Sequence, residues 1–260
     1  MKNIKGRIYN GETLIGCWLN LGSSLTSEIV GMSGFDWVLI DIEHGSGSES
    51  QVLHQLQALE HTPAAAFVRV ESYQRQRFHR VLDFGAEGIM CPRIHTLQEA
   101  QQAAKAIRYP PEGIRGAARM VRATNFGSGF NEYYANQKKN LVLIVQIETE
   151  EILDSLNLVA AIEEVDVLFV GPMDLSIALD VFGQPDHPRF IDALKATADA
   201  ALKEGKAAGI LLQNPDEFKR YYELGFRFIA CGSDSSFVKN GACKMAERLN
   251  ELKSSHEAGK

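Results

Sequence analysis

Four side chains in this sequence, set far apart along it, have the chemistry to act together on a small oxo acid: Glu148, Asp174, Arg69 and His44. Glu148 follows the apolar run Leu141–Ile147, and Asp174 follows Val165–Val170 after Gly171-Pro172-Met173. Two carboxylates with open positions suit Mg2+ or Mn2+, hard ions that keep waters and accept substrate oxygens. The plainer alternative is that both are helix-start residues stabilised by the macrodipole. Gln146, a polar residue near the end of a Val- and Ile-rich run, favours a site. His44 sits in Asp41-Ile42-Glu43-His44-Gly45, where a nearby carboxylate would orient an acid–base imidazole. The alternative is a surface loop histidine paired with an acid. His54, His61, His79, His95, His187 and His256 fall in helical patterns, loops or the tail, which leaves His44 the favoured one. Arg69 is flanked by Phe67, Val68 and Val70, and burying its guanidinium is costly unless an anion or carboxylate meets it. A structural ion pair with Glu43 is one answer; a substrate anion or developing enolate is the one preferred.

No lysine ends an apolar run. Lys138 and Lys139 precede one, and Lys206 precedes another. A Schiff-base mechanism needs a partly desolvated lysine in the pocket, so it is excluded here.

Positioning such residues together requires a repeated strand–site–helix plan. Eight candidate strands are read at Ile15–Asn20, Trp37–Asp41, Ala65–Val70, Gly88–Pro92, Leu141–Ile147, Val165–Val170, Ala207–Leu212 and Phe226–Cys231. They are short and apolar without strict alternation, as expected of strands buried on both faces. Between them, Val52, Leu53, Leu56 and Leu59 share one helical face, as do Ile152, Leu153, Leu156 and Val159. Thr96-Leu97-Gln98-Glu99 reads as a capping box, and Asn214-Pro215-Asp216-Glu217 as a second helix start. The fold predicted is an α/β TIM (β/α)8 barrel, whose C-terminal rim carries the chemistry. A doubly wound sheet is disfavoured, since no Gly-x-Gly-x-x-Gly follows the first strand.

A length of 260 residues fits one such barrel over residues 1–252, with a polar, frayed tail at 253–260. Net charge is −6 and no basic stripe appears, which argues against nucleic acid as a partner. The basic N-terminus has no apolar core behind it, and no run is long enough to span a bilayer. Cys17, Cys91, Cys231 and Cys243 form no close pair, fitting reduced thiols in a cytoplasmic protein. The stretch from Tyr109 to Asn140 reads as an unusually long loop, functional or interfacial.

Taken jointly, Asp41–Gly45, Arg69, Leu82-Asp83-Phe84-Gly85-Ala86, Tyr109–Gly116, Gln146–Glu148 and Gly171–Ser176 resemble the HpcH/HpaI aldolase family. These are metal-dependent (class II) pyruvate aldolases of the phosphoenolpyruvate/pyruvate barrel superfamily, and the likeness covers nearly the whole chain. The resemblance implies a divalent metal (Mg2+ or Mn2+, with Co2+ possible) on Glu148 and Asp174. It implies His44 as proton acceptor, with Asp41 of the same motif in the catalytic set, and Arg69 as stabiliser of the transition state. Gln146 and the backbone at Met173 and Asp174 would hold the substrate. Asp83 would raise the basicity of the histidine from a neighbouring subunit, in a homo-oligomer that is usually a hexamer.

The activity implied is reversible aldol cleavage of a 4-hydroxy-2-oxo acid to pyruvate, or a close 2-oxo acid, and an aldehyde. Trp18, Leu211, Leu212 and Ser233 would shape aldehyde choice. Two rival readings are an acyl-CoA lyase of the malyl- or citryl-CoA type, for which no basic cluster suits the CoA phosphates, and a non-catalytic metabolite-binding barrel. Ser46 and Met173 depart from the family pattern, in which a proline and a smaller residue often stand. Arg119 and Arg122, in the long loop, are assigned to subunit contacts rather than to a distal substrate carboxylate.

Overall fold

Every one of the eight apolar runs forms a strand in the computed structural model, which describes residues 2–257. The strands are β1 (Leu14–Leu19), β2 (Trp37–Asp41), β3 (Ala65–Arg69), β4 (Gly88–Cys91), β5 (Val142–Ile147), β6 (Val165–Val170), β7 (Ala207–Leu212) and β8 (Phe226–Ser233). Each pairs in parallel with the next, and β8 pairs with β1, which closes the expected barrel. Closure leaves no strand edge to protect.

Two apolar shells result. Leu14, Trp18, Trp37, Leu39, Phe67, Ile144, Phe169 and Phe228 fill the barrel interior, while the other set packs outward against the helices. The interior is crowded with aromatic rings: Trp37 stacks on Phe228 at 4.1 Å between centroids and meets Phe169 edge-on. Gly16 makes room for this, since a Cβ there would lie 2.1 Å from the Trp37 indole. A bulkier residue at Gly16 would push a large, rigid ring out of a close-packed layer.

A helix before the barrel, α1 (Ile4–Tyr9), closes its N-terminal end. Ile4 and Ile8 join the interior cluster, and the buried Asp166 side chain takes Lys5 Nζ at 2.9 Å and the Tyr9 hydroxyl at 2.9 Å. A buried carboxylate needs such partners. The connections then carry α2 (Ser24–Gly31), α3 (Glu49–Leu59), α4 (Arg75–Asp83), α5 (Leu97–Ile107), α6 (Phe130–Asn140), α7 (Leu156–Ala160), α8 (Pro172–Ala178), α9 (Pro188–Lys203), α10 (Phe218–Glu223) and α11 (Asp234–Glu257). Thr96 and Glu99 form the predicted capping box, each accepting the other's backbone N–H at 3.2 Å. Among the described residues no helix is long and apolar enough to cross a membrane.

Two expectations need correction, on the long connection and on the tail, and the two loop arginines can be placed within the chain. The polar half of the long Tyr109–Asn140 connection is helical (α6), so the irregular part is shorter than read. Arg122 serves the fold of its own chain: Nη2 donates to Glu60 Oε2 at 2.6 Å and Nη1 to the Phe84 carbonyl at 2.7 Å. Those acceptors sit where α3 and α4 run back towards the starts of the next strands, remote from the C-terminal rim. Arg119 lies over the Phe130 ring at 5.6 Å. Lastly, the tail expected to fray from Lys253 continues α11 as helix through Glu257; the three residues beyond lie outside the described residues.

Candidate active site

Asp41, Arg69 and Gln146 occupy interior positions of their strands, in phase with Leu39, Phe67 and Ile144. Glu148 continues that phase one residue beyond β5. Period-two alternation therefore aims all four into the C-terminal mouth of the barrel.

Parallel register sets Asp41 directly beside Arg69. Arg69 Nε and Nη2 donate to Asp41 Oδ1 and Oδ2 at 2.9 and 2.7 Å, a bidentate pair, and Nη1 lies 3.1 Å from Glu43 Oε2. Burial opposes the guanidinium charge, but Asp41 and then Glu43 outweigh it and hold Arg69 above its ordinary range. The ion pair considered with Glu43 thus exists, with Asp41 as its principal partner. Asp41 Oδ1 also accepts the backbone N–H groups of Glu43 (3.1 Å) and His44 (3.3 Å), so it fixes the turn on which His44 stands. The His44 ring is largely exposed at the rim, with Nε2 3.9 Å from Glu43 Oε1. Burial raises the Glu43 carboxyl, against the pull of Arg69 and His44.

Across the mouth, Glu148 is buried. Its Oε1 accepts the Arg93 backbone N–H at 2.6 Å, and its Oε2 accepts from Gln146 Nε2 at 3.2 Å. Burial pushes this carboxyl up to about 7; the Arg93 N–H opposes the rise, and the nearby charges of Asp174 and Glu43 add to it. Asp174 lies in the first turn of α8, after the strand next to β5. Pro172 starts that helix, so the N–H groups of Met173 and Asp174 have no carbonyl within it to bond. Gly171 keeps the space beside Glu148 open, since a Cβ there would lie 2.6 Å from Glu148 Oε2. Gln146 Oε1 is buried without a hydrogen-bond partner.

This donor set fits a divalent cation. Two carboxylates just beyond the ends of adjoining strands, Glu148 after β5 and Asp174 in the helix after β6, one of them desolvated, suit a hard ion that takes its remaining oxygens from water or substrate. Among the described residues no group of three or more His, Cys, Asp or Glu side chains gathers for metal binding, so protein ligands beyond the pair are not supplied by those residue types.

A cavity of about 930 Å3 opens over these groups. His44, Arg69, Asp41, Gln146, Met173, Asp174 and Leu212 all line it, and so do Trp18, Leu211 and Ser233. Asp83 does not. It ends α4 and accepts from Arg115 Nη2 at 2.8 Å, where Arg115 also lies 4.6 Å from the Tyr109 ring centroid and 5.3 Å from that of Tyr133. Within one chain Asp83 is therefore a structural partner of Arg115 and not a neighbour of His44.

Sequence reasoning missed Arg93, whose contribution is a backbone N–H presented from a left-handed conformation (φ 49°). Such strain in a non-glycine residue is typical of functional sites. It also missed Asp234, which accepts the Asn20 N–H and the Thr26 hydroxyl, both at 2.8 Å, and so ties β1 and α2 to the start of α11. The four cysteines are free, and burial raises the Cys17 thiol to about 12, which disqualifies it as a nucleophile.

A closed parallel barrel with acidic, cationic and imidazole groups gathered at the carboxyl ends of its strands has the form of a barrel enzyme. Known proteins narrow that class. The model of the HpcH/HpaI aldolase/citrate lyase family matches residues 14–241, and the chain belongs to that family. It is 38% identical to 5-keto-4-deoxy-D-glucarate aldolases of Shigella boydii and Escherichia coli over 240 residues, 92% of this chain and 93% of theirs. A solved HpcH/HpaI aldolase/citrate lyase family protein from Burkholderia cenocepacia is 33% identical. It superposes with a TM-score of 0.91 over 96% of this chain and 100% of its own. An HpcH/HpaI aldolase from Desulfitobacterium hafniense, 23% identical, shares the fold with a TM-score of 0.88 over 95% of this chain and 96% of its own. The protein is a carbon–carbon lyase of the aldolase class, as the sequence led one to expect.

Proposed function

We propose that the enzyme is a divalent-metal-dependent aldolase that reversibly cleaves a 4-hydroxy-2-oxo acid to pyruvate and an aldehyde. The observation that carries this reading is the desolvated Glu148 beside Asp174, with the unpartnered Gln146 oxygen and the open space at Gly171 next to it. Glu148 and Asp174 would hold the ion. When bound, a divalent cation supplies Lewis-acid charge to the substrate's oxo and carboxylate oxygens.

The chain's own residues do the rest. The first-turn N–H groups of Met173 and Asp174 donate to the substrate carboxylate, and Gln146 orients the oxo group. His44 accepts the proton of the C4 hydroxyl; the C3–C4 bond then breaks, the aldehyde leaves, and its electron pair forms the pyruvate enolate. Arg69, held rigid by Asp41 and Glu43, faces the oxygen on which charge develops. Protonation at C3 completes the turnover. A positioned acid–base group of the His44 kind gives typically ~10²–10⁴-fold in rate.

Chelation tests the metal directly. Pyruvate release from a 4-hydroxy-2-oxo acid should vanish in excess EDTA and return on adding Mg2+ or Mn2+; full activity after exhaustive chelation would remove the metal from the mechanism.

A homo-oligomer, with a hexamer as the first expectation, belongs to the same reading. In α11, a helix about 36 Å long, only Asp234 is buried, while Val238, Met245, Leu249 and Leu252 leave an apolar stripe in solvent. Such a stripe calls for a partner surface, and the family's role for Asp83 needs a second copy. Light scattering should report a multiple of the 28.7 kDa chain mass, and a monomeric mass at micromolar concentration would refute this.

A further inference from the structure

Asn20 stands one residue past β1, in phase with the interior residues Leu14 and Trp18. Its side chain therefore enters the mouth of the barrel, where it lines the main cavity with Asp41, Arg69 and His44. The main chain is held on both sides. The Asn20 N–H donates to Asp234 Oδ1 at 2.8 Å, and its carbonyl accepts the Ser46 N–H at 2.8 Å, two residues beyond His44. Any residue but proline could make these two bonds. The side-chain amide makes no hydrogen bond among the described residues, although Oδ1 is buried. A dry, unpaired amide oxygen costs stability, so this side chain does nothing for the fold that alanine would not do better.

Its position says what the amide can meet. In the closed order of the strands, β1 adjoins β2 and faces β5 across the barrel. His44 follows β2 and Glu148 follows β5. Asn20 is thus on the side of the base and away from the carboxylate pair. The charged groups there are already committed, with Asp41 and Glu43 paired to Arg69. A cation at position 20 would be drawn to those carboxylates, and an acid would be repelled by them. A neutral amide is captured by neither, and turning it about its last side-chain bond presents its N–H to the cavity.

Resting on the aldolase reading above, we propose that Asn20 is a further catalytic residue, whose amide N–H donates to the C4 oxygen of the substrate while His44 takes that oxygen's proton. With the oxo acid end held at Glu148 and Asp174, the C4 oxygen falls on the β1–β2 side of the mouth. As its proton passes to His44, negative charge builds on this oxygen until the C4 carbonyl forms and the C3–C4 electron pair leaves for C3. A donor aimed at that oxygen lowers the barrier, and no bond to Asn20 is made or broken. In the reverse direction the same N–H polarises the aldehyde carbonyl.

The probe is 4-hydroxy-2-oxopentanoate, whose C4 hydroxyl is its only one. Its cleavage to pyruvate and acetaldehyde by the Mn2+-loaded enzyme is compared with deuterium uptake at pyruvate C3 in D2O, which involves no C4 oxygen. Asn20→Ala should lower kcat for cleavage by about 10²-fold and change deuterium uptake by less than about threefold. Asn20→Asp, which keeps the shape and loses the donor, should cleave no better than Asn20→Ala. Stripped of metal, Asn20→Ala should melt no lower than the parent, since both main-chain bonds remain and the unpaired oxygen is gone. Cleavage within about threefold of the parent in either variant would overturn the proposal. Equal losses of cleavage and uptake, with a lower melting temperature, would overturn it too and mark Asn20 as a brace. A parent that takes up deuterium but leaves the probe uncleaved removes this inference alone; a parent that does neither removes the aldolase reading with it.

Discussion

Exchanging Arg69 for lysine should lower kcat for aldol cleavage by roughly 10²–10³-fold, the usual effect of losing one donor aimed at developing negative charge. The positive charge would remain, so the loss reports geometry. The planar fork of Arg69 satisfies both Asp41 oxygens while a third nitrogen reaches Glu43. An ammonium cannot hold two carboxylates and still face the substrate along a fixed direction. Asp41 would lose part of its anchor as well, and with it some control of the turn that carries His44. Alanine is a poorer test, because it would leave the buried Asp41 carboxylate without its partner, a change that costs about 3–5 kcal/mol in stability. Steady-state kinetics with circular dichroism as a folding check decides the matter. A lysine variant within about threefold of the parent in kcat would show that Arg69 is only a brace.

How Arg69 came to be found shows what the sequence can reveal. A charged residue inside an apolar run is visible without any structure, and its cost demands a partner. The same reasoning exposed Gln146 and Glu148. The eight strands were legible because both-face burial writes them as short Val-, Ile- and Phe-rich runs; their ends moved by at most two residues. That same burial hides which face points inward, since no polar alternation marks it. Interior phase became visible only through register, as with Asp41 beside Arg69.

Other parts were illegible for different reasons. Arg93 contributes a main-chain N–H, and any non-proline residue has one. Asp83 was assigned by resemblance alone, to the histidine of a neighbouring subunit; a helix following β3 descends away from the mouth, so nothing within one chain marks its last residue. Polarity misled at α6 and at the end of α11, since charged and amide side chains are good helix formers when solvated. The α11 stripe was present at helical spacing in Val238, Met245, Leu249 and Leu252, yet a stripe with no partner in the same chain reads as surface.

Glu148→Gln should abolish measurable cleavage, a loss of about 10³-fold or more, and yet stabilise the protein stripped of metal. Both effects come from the same burial. Glu148 keeps its place through the Arg93 N–H and the Gln146 amide, and burial, with Asp174 and Glu43 adding, lifts its carboxyl to about 7 from an ordinary 4.5. A folded-state value above the unfolded one means that the metal-free fold loses stability as pH climbs from the ordinary carboxylate range through about 7. The neutral amide escapes that loss. It can still accept from Arg93, and Gln146 can turn its own amide so that the unpartnered Oε1 accepts from the new N–H. At pH 8 the EDTA-treated variant should therefore gain about 1–3 kcal/mol over the parent, or about 2–4 °C in Tm for each kcal/mol. The difference should fade below about pH 4, where both side chains are neutral in both states. Adding Mn2+ should raise the melting temperature of the parent and leave that of the variant nearly still. A stripped variant that melts below its parent at pH 8 would mean that Glu148 braces the fold. Stability and turnover moving in opposite directions would instead mark a carboxylate kept, at a cost to the fold, for the cation it binds.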